Sequence, residues 1–339
     1  MNTFKDHRFC SHVFRWCKAH HLIQPTQKLL LAVSGGLDSM VLLDFFYRFS
    51  KKKFKASFSV GHFDHQLRPE SGEQALWLKN YCESRDIPFF LGCQNIKETK
   101  LAQQSSIEAI ARHVRYDWLL KTSQEEQCHA IITAHTASDQ LETVLMRLIR
   151  GSVSGLGGIN PKQSYKNRPL LRPFLGQSRV SLEGYAQAHG ITWQEDPSNA
   201  SDLYFRNRVR HHLVPLLKKE NPNLENQMAS HSVIWQAENQ FLDHLAQAAF
   251  LDLQHCEHPL SLSIQPLKEL DQVLQRRVVK QSLEAFLGTW KIYTSKHIEA
   301  ILALLEAETG KYLILPCALK VTRKKHILIF ESLSAQNTV

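Results

Sequence analysis

The sequence predicts an α/β fold, a parallel sheet with helices on both faces, followed by a smaller, mostly helical α+β domain. Three observations carry this expectation. Short apolar runs alternate with helical patterns through the first half, which is the mark of βαβ units. The run Leu29-Leu30-Leu31-Ala32-Val33 enters Ser34-Gly35-Gly36-Leu37-Asp38-Ser39 and then a helical pattern from Met40, so a strand passes through a tight glycine turn into a helix. Beyond residue 226 helical patterns dominate, and strand-like runs return near the end.

In chain order, strands are expected at 28–33, 57–63, 88–93 and 130–134. Helices are expected at 40–49, 72–85, 106–124 and 138–150. Residues 151–173 are rich in Gly, Pro, Lys and Arg and read as loop, with helices again at 178–189 and 202–217. Pro222 and neighbouring Asn residues make 218–226 the expected linker between a catalytic domain, 1–217, and a second domain, 227–332. There the patterns give helices at 231–253, 267–287 and 295–308, then a hairpin of 312–316 and 326–330 around 320–325. Ligands of such sheets gather at the carboxyl ends of strands, so Ser34–Ser39, His62–His65 and His135–Asp139 are expected around one crevice.

The 339 residues suffice for two domains, and 43% hydrophobic content supports a sizeable core. A formal net charge of +9 suits a polyanionic partner. The seven cysteines are odd in number, widely spaced and lack CxxC, which argues against a disulfide framework and a zinc site. No apolar run approaches the roughly 20 residues that span a bilayer, and residues 1–17 are too polar for a secretory signal. The expectation is a soluble cytoplasmic protein without a membrane partner.

The glycine turn carries the chemistry. Adjacent Gly35 and Gly36 let the backbone approach an anion, and the helix N-terminus favours negative charge. Ser34 and Ser39 supply hydroxyls, and Leu37 belongs to the same nucleotide-binding turn. Asp38 suits a phosphate site only if a divalent cation such as Mg²⁺ bridges it to ATP. Neither GxxxxGK[ST] nor GxGxxG matches the turn.

In a second block His135 precedes a helix on which Asp139 and Glu142 share a face, suited to holding Mg²⁺ or to taking a proton from an amine. In a third, Glu108, Arg112 and Arg115 share a helical face, with arginine forks suited to phosphate. His62, Asp64 and His65 invite a zinc reading, but without an evident fourth ligand they suit a loop shaping the nucleotide pocket better. Arg206, Arg208 and Arg210 crowd a helix start near aromatics, which suits phosphate or RNA.

The SGGxDS turn resembles the PP-loop of the ATP pyrophosphatases, and the ordered set of motifs resembles the tRNA(Ile)-lysidine synthase family. The set comprises SGGLDS (34–39), DHQLRPES (64–71), EAIARHVRY (108–116) and DQLET (139–143). RGSVSGLGGI (150–159), RPLLRP (168–173), EDPSN (195–199) and FRNRVR (205–210) complete it. The resemblance implies adenylation of the wobble cytidine of CAU-anticodon tRNA(Ile) at its C2 oxygen. Attack by the ε-amine of free L-lysine then expels AMP.

It further implies ATP and Mg²⁺ as cofactors, with Asp38 and Asp139 as metal ligands. Ser34–Ser39, His62 and His135 would lie at the nucleotide. Asp139 or Glu142 would be base or amine anchor, and Arg112, Arg115 and Arg206 would meet phosphate or developing charge. Family members suggest a homodimer. Two departures stand out: Thr136 and Ser138 replace a second His and a second Asp of the usual segment, and the chain stops soon after Phe330 where many members carry a further domain. The rival readings are a tRNA 2-thiolation enzyme, disfavoured by the missing cysteine pairs, and an inactive nucleotide-dependent tRNA-binding protein.

Overall fold

The computed structural model describes residues 3–66, 71–95, 107–151, 156–195, 201–257, 259–289 and 292–333. The chain divides into two compact units, Met1–Trp235 and Gln236–Val339.

The first unit opens with α1 (Thr3–Ala19), β1 (Lys28–Ala32), α2 (Leu37–Phe49), a π-helical turn, β2 (Ser57–Asp64), α3 (Ser71–Glu83) and β3 (Phe89–Cys93). It continues with α4 (Ile107–Glu125), β4 (Ala130–Ile132), α5 (Ala137–Ile149), β5 (Lys162–Tyr165), β6 (Arg168–Leu171) and α6 (Arg179–His189). It ends with α7 (Phe205–Arg208), a π-helical turn Val209–Leu213, α8 (Val214–Glu220) and the start of α9 (Leu224–Leu253). The sheet order is β3-β2-β1-β4-β6-β5, parallel throughout except for β5.

The alternation along β1 shows why helices cover both faces. Leu29 and Leu31 pack with Val13, Met40, Phe45 and Leu182 of α1, α2 and α6. Leu30, pointing the other way, packs with Tyr116 and Leu119 of α4. That second face is close: a Cβ on Gly92 of β3 would lie 2.3 Å from the Trp118 ring of α4, so the indole lies where any larger residue would put its side chain. β1 lies between β2 and β4, where the chain reverses its direction of travel across the sheet. A crevice opens at such a switch point, beyond the carboxyl ends of the strands.

The second unit holds β7 (Gln254–Glu257), β8 (Leu260–Ser263), α10 (Ile264–Glu269), α11 (Gln272–Leu287), α12 (Ser295–Ala303), β9 (Tyr312–Leu315), β10 (Leu319–Arg323) and β11 (Ile327–Ser332). Its antiparallel sheet, β7-β8-β11-β10-β9, buries Leu262, Val321, Leu328 and Phe330 against Val279 and Leu283 of α11 and Ile301 of α12.

Several expectations are corrected. Residues 151–173 are not all loop: β5 and β6 extend the sheet, and β6 was hidden because only Leu170 and Leu171 of it are buried. The helix α1 was not foreseen. The expected linker 218–226 is mostly helix, the end of α8 and the start of α9. The segment 202–217 breaks into α7, a π-helical turn and α8. Helix 267–287 divides where Asp271 caps α11, its side chain accepting from Val273 N–H. The terminal hairpin is three strands, because Leu319 and Val321 of the expected connection are buried in the core and pair it into the sheet.

Candidate active site

The glycine turn joins β1 to α2 with Gly35 at φ +89°, a left-handed conformation that favours glycine. Ser34 N–H and Gly35 N–H both donate to Ser39 Oγ, each at 3.1 Å. Two backbone donors thus converge on one oxygen, the arrangement an anion needs. The Ser39 hydroxyl donates in turn to the Gly36 carbonyl at 2.9 Å. The turn is braced from outside, since Gln74 donates to Ser34 O at 3.2 Å and Gln194 N–H to Gly35 O at 3.0 Å.

The turn lines a cavity of about 1350 Å³ at the strand ends. His62, His65, His135, Asp139 and Glu142 line the same cavity, so the three expected strand-end segments do meet. His62 is buried, and its Nδ1 lies 2.8 Å from the Val33 carbonyl, which places the proton on Nδ1 and ties β2 to the turn. Burial holds His62 below the usual imidazole range and His65 down to about 4, so both are neutral at pH 7. Asp64 accepts from Gln66 N–H and Ser71 Oγ, a bracing role. Residues 67–70 and 196–200, which carry parts of two motifs, lie outside the described residues, as does the Glu108 side chain.

Asp38 differs from every other carboxylate here. Its Oδ1 is buried with no hydrogen-bond partner, and its carboxyl is pushed up to about 6 by burial and by the nearby Asp139 charge. Asp139 sits in the first turn of α5. Thr136 N–H and Oγ1 both donate to Asp139 Oδ2, at 2.8 and 3.1 Å, and Asp139 N–H donates back to Thr136 Oγ1. Thr136, at one departure from the family pattern, is therefore the helix cap. At the other departure, Ser138 lines the cavity with its hydroxyl buried and without a partner.

Asp139 and Glu142 are locked by guanidinium groups. Arg206 spans both, with Nη2 donating to Asp139 Oδ1 and Nε to Glu142 Oε2, each at 2.7 Å. Arg210 takes Glu142 through Nε at 2.6 Å and Nη2 at 3.0 Å. Burial alone would raise Asp139, but Arg206, the Thr136 N–H and Arg210 outweigh it and hold the carboxyl below its usual range. Burial likewise keeps His135 neutral, its Nδ1 2.8 Å from Thr133 Oγ1.

Of the other expected arginines, Arg115 lines the cavity, whereas Arg112 is exposed over the Tyr116 ring, 5.0 Å from its centroid. Arg208 turns away to the Asp202 and Leu203 carbonyls. Arg210 was noted only as part of a basic cluster, yet it lines the cavity; its i, i+4 spacing from Arg206 was the available signal. Arg179, Lys218 and Glu225 also line the cavity and carried no signal beyond their place in the chain; Trp193, at the head of the 193–199 block, lines it too.

Among the described residues no three His, Cys, Asp or Glu side chains form a ready metal cage. Mg²⁺ does not need one, because it is held by one or two carboxylates together with phosphate oxygens and water. The orphaned Asp38 oxygen fits that demand.

Such a turn, at such a crevice, defines a nucleotide-binding α/β protein with a PP-loop, and a PP-loop domain model matches residues 10–217. The chain belongs to that family. A solved structure of the U34-tRNA thiolase NcsA from Methanococcus maripaludis has the same fold, with a TM-score of 0.57 at 17% identity, covering 68% of this chain and 80% of that one. A second model, the TilS substrate binding domain, matches residues 262–328.

The tRNA(Ile)-lysidine synthase of Geobacillus kaustophilus is 35% identical over 316 residues, 92% of this chain and 68% of that protein. That of Clostridioides difficile is 30% identical over 315 residues, 91% and 68% respectively. Within the PP-loop proteins, the chain belongs to the tRNA(Ile)-lysidine synthase family. It also matches the bifunctional protein TilS/HprT of Listeria innocua, 35% identical over 94% of this chain, and spans about half the length of that relative.

Proposed function

We propose that the protein adenylates the wobble cytidine of CAU-anticodon tRNA(Ile) with ATP and joins free L-lysine to it. The C2 oxygen of the cytidine attacks the α-phosphorus of ATP, and pyrophosphate leaves. The lysine ε-amine, as free base, then attacks C2; the C–O bond breaks and AMP leaves with the oxygen, giving lysidine. The observation that carries this reading is the single cavity uniting the glycine turn and Asp38 with Arg115, Arg210, Asp139 and Glu142.

The roles follow from the geometry. The turn amides converge on an oxygen and suit the leaving pyrophosphate. Asp38 is the proposed Mg²⁺ ligand, with Asp139 beside it; Mg²⁺, when bound, neutralises charge on the phosphates. Asp139 and Glu142 serve as anchors rather than bases, because ion pairing keeps Asp139 ionised and weakly basic. They hold Arg206 and Arg210 where phosphate charge develops. His62 and His135, both neutral, shape the nucleotide pocket.

A thiolation reading finds less support, since no cysteine lines the cavity among the described residues. No helix of the described residues is long and apolar enough to cross a membrane. All seven cysteines are free, which suits the proposed cytoplasmic setting. A homodimer and a tRNA-binding role for the second unit belong to the same proposal. The test is pyrophosphate release from ATP, with and without an unmodified CAU-anticodon tRNA(Ile) transcript. Release that depends on the transcript and is lost in Asp38→Ala supports the reading; transcript binding without release supports an inactive binding protein.

A further inference from the structure

The cavity holds one carboxylate whose partner is an ammonium rather than a guanidinium. Glu225, in the first turn of α9, is buried, its side chain 9% exposed, and lines the cavity that contains the glycine turn. Lys218 of α8 lines the same cavity and donates from Nζ to Glu225 Oε1 at 2.9 Å. The contrast with the neighbouring acids is chemical. Asp139 and Glu142 are clamped by the planar forks of Arg206 and Arg210. Such pairs are geometrically fixed and bidentate. Asp64 is committed to Gln66 and Ser71. Lys218 presents a point charge on a flexible four-carbon stem, with its side chain about one-third exposed. A primary alkylammonium group already seated on a buried carboxylate, inside a substrate cavity, is the same functional group that free lysine brings.

We propose that Glu225 is the anion that takes an ammonium group of the incoming lysine, and that Lys218 is its internal stand-in until the substrate displaces it. This inference rests on the ligase reading above. A buried carboxylate stripped of its partner is costly, so the stand-in keeps the site formed while it is empty, and one ammonium exchanges for another without leaving Glu225 unpaired. The α-ammonium is the group assigned to Glu225, because the ε-nitrogen must reach the cytidine ring as a free amine. The arrangement also favours amino acids with a free α-amine over Nα-acylated ones.

The measurement is the dissociation constant of labelled L-lysine for the full chain, by equilibrium dialysis, for wild type, Lys218→Met and Glu225→Gln, with thermal melts of all three. Lys218→Met removes the competitor and keeps most of the stem's apolar packing, so lysine binds about threefold tighter. Glu225→Gln removes the anion, so lysine binds about tenfold weaker or worse. Nα-acetyl-lysine fails to compete with lysine on the wild type. Shifts in the same direction for both variants, or no shift in Lys218→Met with an intact melt, overturn the proposal while leaving the ligase reading standing. A wild type that binds no lysine, alone or with ATP, Mg²⁺ and tRNA, overturns both.

Discussion

Replacing Asp38 with Asn separates what the site costs the fold from what it does for chemistry. The carboxyl is pushed up to about 6 from 3.8, first by burial and then by Asp139, with Arg179 and Arg210 opposing. Keeping it ionised near neutral pH therefore costs the folded state about 3 kcal/mol at most. Asn is nearly isosteric and uncharged. Allowing for local relaxation, Asp38→Asn is expected to stabilise the ligand-free protein by roughly 2 kcal/mol, on the order of 5 °C in melting temperature.

The sign with pH follows from linkage. Between 3.8 and about 6 the folded state keeps a proton that the unfolded chain releases, so the wild type regains stability as pH falls through that window. The advantage of Asp38→Asn is then full above about pH 6.5 and gone below about pH 4. The assay is a set of thermal melts of both proteins across that range, without nucleotide or metal. With Mg²⁺ and ATP present, the order reverses, because only the wild type gains from binding. An Asp38→Asn protein that melts below the wild type at neutral pH, or an advantage that ignores pH, would mean that the Asp38 carboxylate is not a burdened charge in the folded state.

Arg206→Ala leaves Glu142, 3% exposed, with half its pairing and removes a short contact from Asp139; it is expected to cost about 3 kcal/mol in chemical unfolding and to abolish pyrophosphate release. Adding Glu142→Gln to it returns part of the stability and none of the activity. Gly92→Ala drives a methyl into Trp118 and is expected to cost roughly 1–3 kcal/mol, much of which Trp118→Leu restores; a neutral Gly92→Ala would show that the α4 face is looser than described. Binding of tRNA is expected to fall linearly in log affinity against log salt, and an affinity indifferent to salt would contradict a phosphate-reading role for the basic residues.

The sequence made the sheet legible where strands were apolar on both faces. β1 was read almost to the residue because Leu29 to Leu31 are wholly buried. β6 escaped because Arg168 and Pro169 interrupt it, and β10 because Lys320 and Thr322 conceal its alternation. α1 lay in a stretch read only for its polarity, where Phe9, Val13 and Cys17 recur at helical spacing and are buried.

At the site, the glycine turn, Asp38, His135, Asp139 and Glu142 were visible as motifs, since their chemistry depends on local spacing. What spacing could not carry was pairing across the chain. That Arg206 and Arg210 close on a carboxylate 64 and 68 positions away is a tertiary fact, and of the two expected roles, base or anchor, it favours the proposed anchoring role of Asp139 and Glu142. Lys218 and Glu225 were read as linker, because two charged residues around Asn-Pro-Asn resemble a solvated turn until the helices on either side are seen.

The most direct test of the account is incorporation of labelled lysine into an unmodified CAU-anticodon tRNA(Ile) transcript with ATP and Mg²⁺, run beside Asp38→Ala. Incorporation is expected to need ATP and to disappear in Asp38→Ala. Pyrophosphate release without lysine transfer, or lysine transfer that survives the loss of Asp38, would contradict it.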